Sequence, residues 1–234
     1  MGRVRQNLSA DSIFNFMSNR EHLVDTLRSG FLAMYCNENY PILEKKFAIP
    51  MKCFCDIPLG MIKRHLTRFG KYGIGVTKRY AIENGITPVS YVHKKSQNIW
   101  SVMDDIFMDV EDGTATGSTV LPYFKWYEEK TEERKYPLRY YDEREWRWVP
   151  EGKEIKEGFS KGAIKELNKN IVQDKGLRLD FGFSDISYIF VRDEEDVKPV
   201  IEAMRRIRKF RNDDCDADIL ISKIITAAQI EFDF

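Results

Sequence analysis

The chain has 234 residues, 43% hydrophobic and 13% aromatic, enough apolar mass for a folded core and too much for a disordered chain. Its 37 basic and 37 acidic side chains cancel to a formal charge of zero, so net charge gives no indication of nucleic-acid binding. The opening MGRVRQNLSADS is polar and reads as no secretory leader, and no run approaches the roughly 20 apolar residues of a membrane span.

The first predicted strand covers Ile13–Phe16. Ser18 then caps a helix, with Glu21 at the third position after it; Leu23, Val24 and Leu27 share a face and Gly30 stops the helix. Asn37 to Ala48, polar and holding Pro41, reads as loop, and Met51 to Asp56 as a buried strand. Pro58 opens a helix that runs to Phe69 and ends at Gly70. Tyr72 to Thr77 is a strand with two glycines, which mark a close approach to its backbone. A short helix over Lys78–Asn84 and a strand over Pro88–Val92 follow, then a longer helix capped by Ser96.

EDGTATGST (Glu111–Thr119) is a loop, Leu121–Tyr127 is extended, and Glu128–Lys135 is a solvated charge run. Leu138 to Val149 alternates, with Tyr141, Glu143, Glu145 and Arg147 on one face of a single strand. Phe159–Asn170 reads as helix, Leu177–Phe181 and Ile186–Val191 as strands, and Asp193 opens a helix to about Phe210. Ile219–Ile225 is a last strand, and Thr226–Gln229 a capping box on a final turn. Hairpin-length and helix-length links alternate, which predicts a single α+β domain over 1–234 with a mixed, mostly antiparallel (split) sheet and flanking helices.

Cys36, Cys53, Cys55 and Cys215 are expected as reduced thiols in a cytoplasmic protein; a CxC pair on a strand neither bridges readily nor has zinc-knuckle spacing. Glu143 and Glu145 share a strand face and repel, so one is a candidate general base with a raised pKa. The competing reading pairs these acids with Arg144 and Arg147 on an exposed sheet face. His65 precedes the Gly70–Gly75 turn and Tyr72, and a lone helical His is more often a core-edge residue.

Seven segments carry a family resemblance: SADSIFNF, RSGF, IPMKCFCDIPLGMIKRH, YGIGVTKRYAIENGITPV, YFKWYEE, YDEREWRWVP and ILISKIIT. Together they resemble the AbiGi-like abortive-infection (phage resistance) family, which implies an antitoxin that partners a cognate toxin or another defence-system protein. The split sheet and the ExE spacing bear a distant resemblance to ADP-ribosyltransferases. There the second acid, here Glu145, binds a ribose hydroxyl of NAD and stabilises an oxocarbenium-like transition state, and Glu143 and His65 complete a catalytic set. The same resemblance makes Asn15, Phe16, Tyr72 and Gly73 the candidate NAD-binding residues. It thins at Phe14-Asn15-Phe16-Met17, where many relatives carry Phe-His-Phe-Thr. The alternative function it implies is an NAD-dependent ADP-ribosyltransferase modifying nucleic acid, protein or a nucleotide on infection; the antitoxin reading requires no cofactor.

Overall fold

The computed structural model describes residues 9–40, 45–111, 119–130, 135–158, 160–207 and 217–233. The principal strands are β1 (Ser12–Met17), β2 (Met34–Tyr40), β3 (Lys45–Cys55), β4 (Tyr72–Thr77), β5 (Thr87–Pro88), β6 (Ser90–Val92), β7 (Phe124–Trp126), β8 (Glu145–Trp148), β9 (Ile186–Val191) and β10 (Ile224–Thr226). The helices are α1 (Arg20–Ser29), α2 (Lys63–Phe69), α3 (Lys78–Glu83), α4 (Gln97–Glu111), α5 (Lys161–Asn170), α6 (Glu194–Arg206), α7 (Ala217–Ile221) and α8 (Ala227–Asp233). Two compact units divide the chain: one holds Met1–Phe31, Phe54–Gly85 and Leu179–Phe234, the other Leu32–Cys53 and Ile86–Arg178.

In the first unit β1 and β4 pair antiparallel in full register, from Ser12 opposite Thr77 to Met17 opposite Tyr72. β9 adds to β4 antiparallel and β10 to β9 parallel, while Cys55 at the end of β3 sits opposite Phe14. This is the mixed, mostly antiparallel α+β sheet expected from the sequence.

The two glycines of β4 have a specific cause. Gly73 lies opposite Phe16 on one neighbouring strand and Phe190 on the other; Gly75 lies opposite Phe14 and Tyr188. Because neither glycine has a side chain, the four rings close over the strand, with Phe14 and Phe190 centroids 5.5 Å apart and Phe16 and Phe190 5.4 Å apart. The close approach inferred from the glycines is therefore aromatic packing. Ile62, Leu66, Ala227 and Ile230 from α2 and α8 complete this core. A Cβ on Gly73 would stand 2.7 Å from the Asn15 carbonyl and 2.9 Å from the Phe16 ring. We expect Gly73→Ala to cost about 1–3 kcal/mol, read as a lower urea midpoint.

β1 places Ile13, Asn15 and Met17 on the opposite face, towards α1. The cap of α1 is Asn19, one residue later than expected: its extended backbone lets the side chain accept from the His22 N–H at 2.8 Å. Gly30 ends the helix at φ 82°, as expected. At the far end the capping box is present, with Gln229 N–H donating to Thr226 Oγ1 at 3.0 Å and Thr226 N–H to Gln229 Oε1 at 2.9 Å. The strand expected over Ile219–Ile225 is instead α7 followed by β10, because only Ile224–Thr226 have a partner strand and Leu220 buries fully as part of a helix.

In the second unit β2 pairs antiparallel with β3 from Met34–Met51 to Tyr40–Lys45. Much of the loop expected over Asn37–Ala48 is thus strand; exposed Asn37 and Asn39 alternate with Cys36, Glu38 and Tyr40 on the inward face, and Tyr35 is buried on the other. Pro41 lies outside the described residues, as do 112–118 of the expected loop and Cys215. β8 neighbours β3 and pairs antiparallel with β5, and β6 pairs parallel with β7. Tyr40, Phe47, Ile49, Met51, Met103 and Leu121 form a core. On a separate cluster, Ile164 of α5 packs on Tyr35 and Ala48. No helix among the described residues is long and apolar enough to cross a membrane.

Candidate functional site

The dense acidic segment is not one strand. Tyr140–Glu143 forms a 3-10 turn, Arg144 takes the left-handed conformation at φ 45°, ψ 52°, and only Glu145–Trp148 is extended. Alternation alone hid that break, since a single left-handed residue re-aims the chain without altering the apolar pattern. Glu143, Glu145 and Arg147 are nevertheless all buried, Arg147 completely.

Within the second unit these side chains form one ion network. Lys125 Nζ, from β7, donates to Glu143 Oε2 at 2.8 Å and also to Glu145 Oε2. Arg147 Nε donates to Glu145 Oε1 at 2.7 Å, and its Nη2 to Glu38 Oε1 of β2 at 3.0 Å. Nη1 of Arg147 donates to the Pro122 carbonyl. The Glu145 backbone N–H donates to the Tyr91 hydroxyl at 2.8 Å, and Lys125 lies 4.9 Å from the Tyr140 ring centre. Three carboxylates thus share two cations out of bulk water.

Burial by itself would raise the Glu145 carboxyl, but Arg147 and Lys125 outweigh it and bring the group down to about 2. The raised pKa expected for one member of the acid pair is therefore not found at Glu145; it stays ionised and is not poised to take a proton near neutrality. Glu38 shifts the other way, because burial outweighs the opposing pull of Arg147 and Lys125. Burial likewise raises Cys53, with Glu145 adding to it, and pushes Cys36 up to about 11, so neither thiol is activated as a nucleophile.

The signs give a pH expectation. Glu145 contributes stability above its ordinary carboxyl value of 4.5, and that contribution is lost as pH falls through about 2. Glu38, with a raised value, contributes in the opposite sense, its share being lost as pH rises past its ordinary value. Urea midpoints of Glu145→Gln should therefore fall less steeply than wild type across this acid window.

The other sequence-predicted site residues belong to the first unit. Asn15, Phe16, Tyr72 and Gly73 do meet on the β1–β4 ladder, but on two faces: Phe16 and Gly73 in the aromatic core, Asn15 and Tyr72 on the α1 side. Tyr72 Oη donates to Asp196 Oδ2 of α6 at 2.6 Å, and burial with this bond pushes the phenol up to about 12. His65 is buried in α2, its ring 5.6 Å from that of Phe69. Sequence reasoning missed Lys125 and Glu38. Lys125 stood in plain view in YFKWYEE, a lone cation among aromatics, whereas Glu38 sat in a segment whose strand pattern is weak.

Residues 29–192, more than half of the chain, match the family model described as "Putative abortive phage resistance protein AbiGi, antitoxin". The chain belongs to the AbiGi family. It is also 29% identical over 249 aligned residues to the abortive phage resistance protein AbiGi of Lactococcus lactis subsp. cremoris, covering 88% of this chain and all of that relative. The AbiGi match contains the whole ion network, from Glu38 to Arg147, as well as β4 and its two glycines. No solved structure matches the chain, so the ADP-ribosyltransferase likeness stays a resemblance.

Proposed function

We propose that this AbiGi-family protein is the antitoxin of an abortive-infection pair and acts by binding a cognate toxin in the cytoplasm, without a cofactor. The observation that carries the reading is the family match over residues 29–192, whose description names an antitoxin. The site chemistry agrees with it. Glu145, the acid that a transferase would turn towards a ribose, is 6% exposed and clamped between Lys125 and Arg147. A carboxylate so paired holds β2, β7 and β8 together, which is the work of a rigid binding scaffold.

Separate inducible expression of this chain and of each protein encoded beside its gene tests the proposal. One neighbour should arrest growth when expressed alone, and this chain should restore growth and co-purify with it. If no neighbour's toxicity is relieved, or if this chain alone arrests growth, the antitoxin reading fails.

A further inference from the structure

Every residue of β2 pairs with β3, and among the described residues no strand pairs with its other side. In an antiparallel pair, alternate residues turn their N–H and C=O away from the partner strand. On β2 these are Tyr35, Asn37 and Asn39: the bonds of Tyr35 and of the Asn39 carbonyl go to side chains on the outer edge. An open edge is ordinarily protected by Lys, Pro or a bulge. β2 has no Lys and no Pro, and its register with β3 runs without a shift.

Two side chains take the place of the missing strand. Asn168 Oδ1 accepts from the Tyr35 N–H at 2.8 Å, and Asn168 Nδ2 donates to the Tyr35 carbonyl at 3.0 Å. Its carboxamide thus repeats the acceptor and donor of a peptide in a neighbouring strand. Further along the edge, the Trp126 indole N–H donates to the Asn39 carbonyl at 2.9 Å. Asn168 lies on a stripe of α5 that is otherwise apolar. Ile164 is buried against Tyr35 and Ala48, and Leu167 and Ile171, at helical spacing from it, pack on the same cluster. An asparagine in such a stripe is a poor helix former and a costly group to cover unless it is bonded. The paired bonds to Tyr35 account for its presence.

α5 has little else to hold it. Ile164 is its one buried residue, and Lys161, Lys165, Glu166 and Lys169 are exposed. The two bonds of Asn168 are therefore a large share of what docks this helix on β2.

We propose that α5 guards a strand-addition surface: Asn168 holds the helix over the outer edge of β2, and loss of that hold lets β2 pair antiparallel with β2 of a second copy of this chain. The strand itself selects this occupant. A two-fold axis through Asn37 sets Tyr35 against Asn39 of the other copy and Asn37 against its counterpart, so outward N–H groups meet outward carbonyls. No like charges oppose this, because Glu38, the one charged residue of β2, turns inward to Arg147. The inference is independent of the antitoxin reading, since it is measured on this chain alone.

Hydrogen exchange and analytical ultracentrifugation of the full chain test it, with Asn168→Ala as the variant. Alanine is the better helix former, so α5 itself persists, and a melting curve confirms that the chain is folded. Amide exchange across Met34–Tyr40 should quicken by about tenfold. Self-association should strengthen by about tenfold or more over wild type. Adding Asn37→Lys puts like charges opposite each other across the two-fold axis. It should return association to the wild-type level at low salt while the fast exchange remains, and high salt should restore association. Exchange as slow as in wild type would overturn the guard. Fast exchange without added association would overturn the second copy as occupant, and so would association that Asn37→Lys leaves unchanged. If Asn168→Ala melts early, Asn168→Asp keeps the shape and the bond from the Tyr35 N–H, sets an oxygen against the Tyr35 carbonyl, and gives the same readouts.

Discussion

Arg147→Ala should cost about 3–5 kcal/mol, a large share of the roughly 5–15 kcal/mol that holds a domain folded. Arg147 has no exposed surface and donates to Glu145, Glu38 and the Pro122 carbonyl. Removing it leaves Glu38, Glu143 and Glu145 in a buried site with Lys125 as the remaining cation, together with a cavity the length of an arginine. The loss should come mainly from the stranded charges. Glu38→Gln, Glu145→Gln and Arg147→Met together should therefore recover most of it, because a neutral set of similar volume removes the uncompensated charge. Urea unfolding of the single and triple variants measures both effects. Arg147→Met alone fills the cavity and keeps the stranded charges, so a single Met variant as stable as the triple one would show that the cavity dominates.

Phe14→Ala should be of comparable size, about 3–5 kcal/mol. Phe14 is 1% exposed, lies over Gly75, and contacts Phe16, Tyr188 and Phe190 with centroids 6.2, 5.9 and 5.5 Å away. Gly75 has no side chain with which to fill the space, so truncation opens a cavity flanked by three rings. Phe14→Leu keeps most of the volume and should lose markedly less, about 1–2 kcal/mol. A shared urea-midpoint scale for the two variants tests the ordering; equal losses would mean that ring geometry, and not filled volume, sets the stability of this face.

Legibility in the sequence followed local chemistry. β4 and α3 were readable because glycine, proline and capping residues punctuate them and their neighbours, and the Thr226–Gln229 box because its two hydrogen bonds lie within four residues. Asn19 was misread by one position because Ser18 is an equally good cap by composition, and only the backbone decides between them. β2 was missed for a tertiary reason: MYCNENY is too polar to predict as strand, and Glu38 is accommodated there because Arg147 reaches it from β8. ILISKIIT is mostly apolar around Ser222 and Lys223 and fits helix or strand equally, so the pairing of β9 with Ile224–Thr226 alone settles it.

The candidate site shows the same division. That Glu143 and Glu145 come together was legible from their spacing, and their pairing with a guanidinium was legible in part: Arg147 takes Glu145, on a buried face and not an exposed one. That Lys125 would bind both acids was not legible, because the contact spans about twenty residues and depends on how β7 is laid beside the 3-10 turn. Nor could spacing show that burial and two cations drive Glu145 and Glu38 in opposite directions. The aromatic closure over Gly73 and Gly75 also needs three strands in register, which no single segment encodes.

The most direct measurement is the phage-plating efficiency of cells carrying Glu145→Gln, read against the melting temperature of the purified variant. A binding scaffold braced by a buried ion network predicts a lower melting temperature and protection that falls only as far as the folded fraction falls, with protection regained at lower growth temperature. Complete loss of protection by a variant that melts like the wild type would contradict it and make Glu145 a catalytic acid.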